Sequence, residues 1–168
     1  MRIFKLIIIS FVLLFFIITI ISLFIPSDVQ ISKVIQVNAA KDSVMIELSD
    51  PGNWKNWYPA DAPVSPFYIN GKEEGIVINN ATGLIIKEKK DNEVIAAYTG
   101  PGSKDISTGW KVIPGSGSVA VEWYMKFHLG WYPWKKFSSL LFEKRYGPVL
   151  EQGLHNLKSY FETDHSSN

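Results

Sequence analysis

The chain contains no cysteine, and that absence narrows its chemistry. Without thiols it forms no disulfide and has neither a thiolate nucleophile nor a thiolate metal ligand. Histidine is also scarce, since His128, His155 and His165 are the only three. None of them has a neighbour at a metal-binding spacing such as HExxH. We therefore expect neither a metal centre nor a cofactor.

An excess of charge of either sign is also missing. The 17 basic residues nearly balance the 16 acidic ones. Two of the basic residues, Arg2 and Lys5, precede a long apolar run, so the remainder of the chain is close to neutral. Nucleic-acid binding needs a clustered basic face. The sequence therefore argues against a nucleic-acid partner.

A catalytic constellation is not visible either. Glu122, Tyr124 and His128 fall on the polar side of a predicted strand, where we expect a solvated face rather than an acid–base pair. Asp50 precedes Pro51 and Gly52 and is expected to end a helix and bond turn amides. We assign no catalytic residue from the sequence.

What the chain does have is an unbroken apolar run over residues 6–25, twenty residues without a charge. A helix of that length covers about 30 Å, the thickness of the bilayer's hydrocarbon core. The basic residues before the run predict a single-pass anchor with a cytoplasmic tip (1–5) and a linker (26–30) leading to an extracytoplasmic domain. A cleaved signal peptide is the alternative, but its apolar core is usually only ~7–15 residues and a small-x-small cleavage site should follow.

After the anchor, β-branched residues over 29–37 predict a strand. A short helix capped by Asn38 is expected to run to about Asp50, followed by a second helical turn over 53–58. Turn signals then separate six short strands. These are expected at 67–69, 75–78, 84–89, 94–99, 106–113 and 118–128.

The apolar spacing becomes helical over 133–163, and Gly147-Pro148 predicts two helices or one sharply bent helix. The last strand has one apolar face, which needs a cover. The expected fold is α+β: a curved antiparallel sheet of about seven strands wrapped on a long C-terminal helix, over residues 31–163. Residues 164–168 are expected to form a disordered tail.

This order of elements resembles the START-like superfamily, also called SRPBCC or helix-grip proteins. Within it, the chain is similar to a membrane-anchored, polyketide cyclase/dehydratase-like branch. The resemblance covers about 29–161 and rests on local sequences at 34–39, 48–50, 53–57, Gly109-Trp110 and 147–158.

The resemblance implies an apolar cavity between the sheet and the terminal helix. We expect it to bind a hydrophobic small molecule or lipid beside the membrane. The residues expected to line it are Trp54, Trp57, Tyr98, Trp110, Trp123, Met125 and Leu154. Two functions remain as alternatives: a cyclase or dehydratase-like enzyme in the same cavity, and a structural envelope protein whose large rings fill the core.

The aromatic segment 131–134 also has two interpretations. It could rest on a membrane surface, as interfacial aromatics do. Our expectation from the sequence is instead that it covers one end of the core.

Overall fold

The computed structural model describes residues 2–60, 63–79 and 81–164. Its helices are α1 (Arg2–Leu23), α2 (Lys41–Ser49), a 3-10 helix (Pro51–Asn56), α3 (Pro133–Ser139) and α4 (Phe142–Asp164). Its strands are β1 (Asp28–Val37), β2 (Ser65–Ile69), β3 (Lys72–Asn79), β4 (Thr82–Lys90), β5 (Glu93–Thr99), β6 (Ile106–Pro114) and β7 (Val119–His128). The tail expected over 164–168 lies outside these ranges apart from Asp164, the last residue of α4, and so does His165.

The seven strands form one antiparallel sheet in the order β1-β7-β6-β5-β4-β3-β2. Consecutive strands from β2 to β7 are neighbours, and β1 closes the order by pairing with β7 along its full length, from Asp28 opposite His128 to Val37 opposite Val119. The register shifts within the β2–β3, β3–β4 and β4–β5 pairs, and such bulges increase local twist and bending. The predicted α+β fold with a seven-stranded sheet is confirmed.

The inner face of the sheet forms the core together with α2, the 3-10 helix and α4. Helix α4 packs chiefly against β1 and also against β7 and the 3-10 helix. Leu150, Leu154 and Leu157, spaced three or four residues apart, form its buried stripe, as the helical period requires. Lys33 on β1 fixes the start of α4 from outside, because its Nζ lies 2.7 Å from Glu143 Oε1 and 2.8 Å from Glu151 Oε1.

The expected division at Gly147-Pro148 is wrong. The helical region is interrupted earlier, at Leu140 and Leu141, and α4 continues through Pro148. Pro148 stands in the second turn of α4, where proline removes only one backbone N–H donor from the helix. The break falls instead between α3 and α4, which pack against different parts of the structure. Helix α3 contacts α1 and α4, so tertiary packing sets the boundary.

The predicted Asn38 cap is also wrong. Helix α2 begins at Lys41 after Ala40, which makes no side-chain cap. The role expected for Asp50 is confirmed, since its Oδ1 accepts a hydrogen bond from the Gly52 backbone N–H at 3.0 Å. This bond turns the chain directly from α2 into the 3-10 helix, which carries Trp54 into the core.

On the outer face, Tyr124 is not solvated as expected. It is 4% exposed because its ring lies over Gly109, its cross-strand partner on β6. Its hydroxyl donates to Glu93 Oε1 at 2.9 Å. Burial, and then the bond to Glu93, raise the pKa of Tyr124. Glu122 and His128 remain on the outer side with more exposure.

Helix α1 is the one helix within the described residues that is long and apolar enough to cross a membrane, and it is a candidate for a span or a signal sequence. Most of its apolar side chains are exposed. Strand β1 begins at Asp28, within the segment expected as a linker. The assignment of residues 1–5 and 6–25 to a tip and an anchor stays a prediction.

Candidate functional site

Four tryptophans meet between the sheet and the helices. Trp54 and Trp57 come from the 3-10 helix region, and Trp110 and Trp123 are directly opposed on β6 and β7. All four are at most 1% exposed. Their contacting rings lie 5.0–6.4 Å apart, mostly tilted or edge to face, which is the range of favourable aromatic pairing. We call these four residues the tryptophan cluster.

Two indoles of the tryptophan cluster have hydrogen-bond partners. Trp54 Nε1 donates to the Leu48 carbonyl at 2.9 Å, which joins the 3-10 helix to α2. Trp123 Nε1 donates to Thr108 Oγ1 at 2.7 Å, and that hydroxyl in turn donates to the Tyr124 carbonyl at 2.7 Å. These bonds hold two of the rings in fixed orientations.

The other two indoles differ. The Nε1 groups of Trp57 and Trp110 are buried, and neither has a hydrogen-bond partner within the described part of the chain. The two rings meet edge to face at 5.6 Å, and an N–H pointing at an aromatic face is a weak hydrogen bond at best. Buried donors normally find a full partner. The cluster therefore contains two buried N–H donors for which the described chain offers no acceptor.

A pair of tyrosines lies at the edge of the tryptophan cluster. Tyr58 and Tyr98 place their hydroxyl oxygens 3.2 Å apart, and the Tyr58 ring lies 5.7 Å from Trp123 and 6.1 Å from Trp57. Burial raises the pKa of both phenols above the ordinary value of 10.0. Both hydroxyls are therefore protonated at neutral pH, where each can donate or accept a hydrogen bond.

An open groove begins at Tyr58. It has a volume of about 400 Å³ and lies between α4 and the chain that follows the 3-10 helix. It is lined by Tyr58, Pro59, Ala60, Pro148, Val149, Gln152 and Asn156. We call this the α4 groove. Asn156 Nδ2 donates to the Trp57 carbonyl at 3.1 Å and so ties the two walls together at one end.

Gly153 explains how α4 comes so close to the tryptophan cluster. A Cβ built on Gly153 would lie 2.2 Å from Trp123 Cζ3 and 2.8 Å from Pro59 Cδ, far inside normal contact. The absent side chain lets one turn of α4 rest directly on the indole and on the groove wall.

The structure brings together the predicted lining residues Trp54, Trp57, Trp110 and Trp123, with Tyr98 at the edge. Met125 and Leu154 are buried in the same core. The rings of the four tryptophans contact one another, so the space beneath α4 is largely occupied by side chains. That these residues line a ligand cavity stays a prediction.

Sequence reasoning missed the groove walls. Tyr58 and Pro59 directly follow Trp57, and Gln152 and Asn156 lie on the polar side of α4, where they indicated only a solvated face. The signal available was the position of Gly153 between them. Asp61, in the same proline-rich loop, lies outside the described residues.

A second depression, of about 510 Å³, lies on the outer face near the Asp28–His128 end of the sheet. Asp28 Oδ1 and His128 Nδ1 are 2.7 Å apart there. Of its eight lining residues, six are polar or charged (Asp28, Gln30, Asp105, Ser107, Lys126 and His128). It is larger than the α4 groove, but it lies on the opposite face of the sheet from the tryptophan cluster. Over the ranges described, no three His, Asp or Glu side chains gather as a metal site would require.

Comparison with known proteins gives a family and a fold. A family model described as polyketide cyclase / dehydrase and lipid transport matches residues 28–162. A search of curated proteins gives no match. Many solved structures share the fold at low identity. One is a protein of Nitrosospira multiformis, at 13% identity and TM-score 0.61, covering 79% of this chain and 96% of that one.

Two further solved structures also share the fold. The di-domain ARO/CYC protein StfQ of the steffimycin biosynthetic pathway has 11% identity and TM-score 0.61, covering 83% of this chain and 52% of that one. CalU16 from Micromonospora echinospora has 14% identity and TM-score 0.54, covering 78% of this chain and 73% of that one. At such identities the likeness shows the fold alone. The helix-grip resemblance drawn from the sequence is confirmed.

Proposed function

Because the chain belongs to the polyketide cyclase / dehydrase and lipid transport family, we propose that it binds a hydrophobic small molecule or lipid in the α4 groove, beside the helix that covers the sheet. We also propose that α1 holds the domain at a membrane. The family's fold is a hydrophobic ligand-binding fold, and in this chain the α4 groove is an opening through which a ligand could bind.

The observation that carries the proposal is that Tyr58 belongs both to the wall of the α4 groove and to the edge of the tryptophan cluster. The groove's volume of about 400 Å³ falls within the range of ~300–1,000 Å³ usual for small-molecule sites. Its wall includes Tyr58, whose ring contacts Trp57 and Trp123. A ligand in the groove therefore lies one ring away from Trp57, one of the two indoles whose N–H has no partner in the described chain.

The tether follows from α1. Arg2 and Lys5 precede its apolar stretch, and basic residues favour the cytoplasmic side. The domain after α1 would then lie outside the cytoplasm, in the periplasm or at the cell exterior. A hydrophobic ligand partitions into the adjacent bilayer, so the tether keeps the groove close to its source.

An enzymatic role in the same site is less well supported. Proton transfer needs a group whose pKa lies near the operating pH. Among the described residues that line the groove, the titratable side chain is the phenol of Tyr58, which is hydrogen-bonded to Tyr98, and burial raises the pKa of both phenols. These hydroxyls and the carbonyl oxygen of the Gln152 amide can orient a polar atom of a ligand, which favours binding over acid–base chemistry. The Asn156 amide is already engaged by Gln152 and by the Trp57 carbonyl. A structural envelope role would leave the groove without a saturable ligand.

The test uses the full chain in lipid nanodiscs containing a small fraction of a diazirine-bearing palmitate. After photolysis, peptide mass spectrometry locates the cross-links. We expect saturable labelling of the groove peptides around Tyr58–Ala60 and Pro148–Asn156, beyond any labelling of α1. Val149→Phe should reduce the groove labelling several-fold, because Val149 lines the groove and a larger ring there would fill it.

The matched control is Ile46→Phe, which makes a similar change at a side chain of α2 that is 66% exposed and lies outside the groove. It should leave the groove labelling unchanged. Labelling confined to α1, or groove labelling that Val149→Phe leaves intact, would contradict the proposal and favour a structural role.

A further inference from the structure

Beyond the ligand site, one exposed apolar surface stands out at the end of the domain from which α1 departs. Trp131, Trp134, Leu140 and Leu141 are 61–69% exposed, and Tyr132 is 39% exposed. The expectation that segment 131–134 covers the core is therefore wrong. We call these five side chains the aromatic plate.

The aromatic plate is an ordered surface. The rings of Trp131 and Tyr132 stack at 4.7 Å, and those of Tyr132 and Trp134 lie 5.1 Å apart. Lys135 places its Nζ 5.7 Å from the centre of the Tyr132 ring. A contiguous exposed patch of large apolar side chains usually marks a surface that binds a protein or a membrane.

The position of α3 identifies the partner. Helix α3 packs against α1, and its Lys136, only 6% exposed, donates from Nζ to the Ile25 carbonyl just beyond the end of α1 at 2.9 Å. Along α1, the side chains with reduced exposure are Ile18, Thr19 and Ser22, in the last two turns. Helix α3 therefore lies beside the last two turns of α1.

The length of α1 determines how deep in the bilayer its contact with α3 lies. The 22 residues of α1 extend over about 33 Å at ~1.5 Å per residue, close to the ~30 Å hydrocarbon core of a bilayer. If α1 spans, its last two turns reach the boundary between acyl chains and headgroups. Whatever packs against those turns lies at that same level.

We infer that the aromatic plate inserts into the interfacial layer of the same membrane that α1 crosses, and so fixes the orientation of the domain. This inference rests on the tether in the proposed function. Tryptophan and tyrosine side chains favour the interface because they combine an apolar ring with a polar N–H or O–H. Both α1 and the plate expose large apolar side chains, and α1 and α3 are in contact, so a single bilayer would cover both.

The test exploits the distribution of tryptophans. Of the six in the chain, the four of the tryptophan cluster are buried in the core, and only Trp131 and Trp134 belong to the plate. The full chain is reconstituted into liposomes with and without lipids brominated in the upper acyl chain, and its tryptophan emission is compared. Flotation of the same liposomes on a density gradient reports whether α1 holds the chain to the membrane.

We expect brominated lipid to remove up to about a third of the wild-type emission, the share of two tryptophans in six. The double variant Trp131→Phe with Trp134→Phe should lose this quenching and still float. Adding Ile46→Trp to that variant supplies a control, because α2 follows the far end of β1, roughly 30 Å away at ~3.3 Å per residue. That added tryptophan should not be quenched.

The possible failures are distinct. A chain that floats but whose wild-type emission is not quenched, or whose quenching survives the double variant, overturns the insertion of the plate and leaves the tether intact. A chain that does not float overturns the tether and the placement of the plate with it. Binding in the α4 groove is judged separately by the photolabelling.

Discussion

Replacing Gly153 by alanine tests how closely α4 rests on the sheet. Ordinarily this change stabilises a helix interior, by about 1 kcal/mol. Here the new Cβ would fall 2.2 Å from Trp123 Cζ3 and 2.8 Å from Pro59 Cδ, so one of these neighbours must move. The sign of the effect depends on whether Trp123 can yield.

The surroundings of Trp123 indicate that it cannot move cheaply. Its ring lies between Tyr58, Trp57 and Trp110, at 5.4–6.0 Å, and its N–H is held by Thr108. Overpacking of a filled core costs typically about 1–3 kcal/mol. A clash this deep belongs at the upper end of that range, so after the gain in helix propensity we expect a net loss of about 1–2 kcal/mol.

Gly147→Ala is the matched control in the same helix. Its Cβ would meet Glu143 Oε1 at 3.2 Å and Lys33 Cε at 3.4 Å, both near the ends of flexible side chains that can shift. This variant should be neutral or gain up to about 1 kcal/mol. The two variants should therefore differ by about 1–3 kcal/mol, which is at least ~2 °C in Tm for a domain of this size.

The assay is thermal unfolding of the full chain in detergent, followed by near-ultraviolet circular dichroism of the tryptophans. That signal reports on the tryptophan cluster and is insensitive to α1, which contains no tryptophan. If Gly153→Ala raises Tm as much as Gly147→Ala does, α4 does not lie on Trp123 as closely as the geometry requires, and the account of the groove wall would have to be abandoned.

Three other changes probe different parts of the structure. Thr108→Val should destabilise the domain by about 1–3 kcal/mol, because it leaves the buried Trp123 N–H without its acceptor; urea unfolding would measure this, and an unchanged midpoint would refute it. Gly109→Ala should also be destabilising, since its Cβ would fall 2.4 Å from the Tyr124 hydroxyl, and a rise in Tm would show that the Tyr124 ring is free to move. Glu47→Gln should stabilise the domain at neutral pH: burial raises the pKa of Glu47, so the folded state holds its proton more tightly and loses stability as pH rises through that pKa. Its advantage should disappear below the carboxylate's unfolded pKa, and an advantage that persists in acid would contradict this reasoning.

Periodicity was sufficient to predict the strands and the covering helix. Val119, Val121 and Trp123 alternate with more polar side chains, and that pattern gave β7 and its inner face correctly. The same alternation failed at Tyr124, because the glycine opposite it provides a hollow that buries an outward-facing ring. Predicting the Gly109–Tyr124 pair requires the register between β6 and β7, which periodicity does not supply.

The site was less predictable than the fold. The tryptophans were identifiable as a group, but whether large rings enclose a cavity or fill it depends on their mutual orientation, and that depends on contacts between distant segments such as Trp123 with Thr108. The break before α4 was misplaced for a similar reason. Gly147-Pro148 is a strong local signal, yet the packing of α3 on α1 decides where the helices divide.

The two proposed surfaces are connected by the geometry of α4. This helix begins at Phe142, one residue after the aromatic plate ends at Leu141, and the groove residues Pro148 to Asn156 follow along its length. At ~1.5 Å per residue these lie roughly 9 to 21 Å along the helix from its start. With the plate in the interfacial layer, the groove would stand at most about 20 Å above it, comparable to the length of an extended acyl chain. A lipid could then place its tail in the groove before its headgroup had left the membrane surface, so the full apolar surface would never need to be exposed to water.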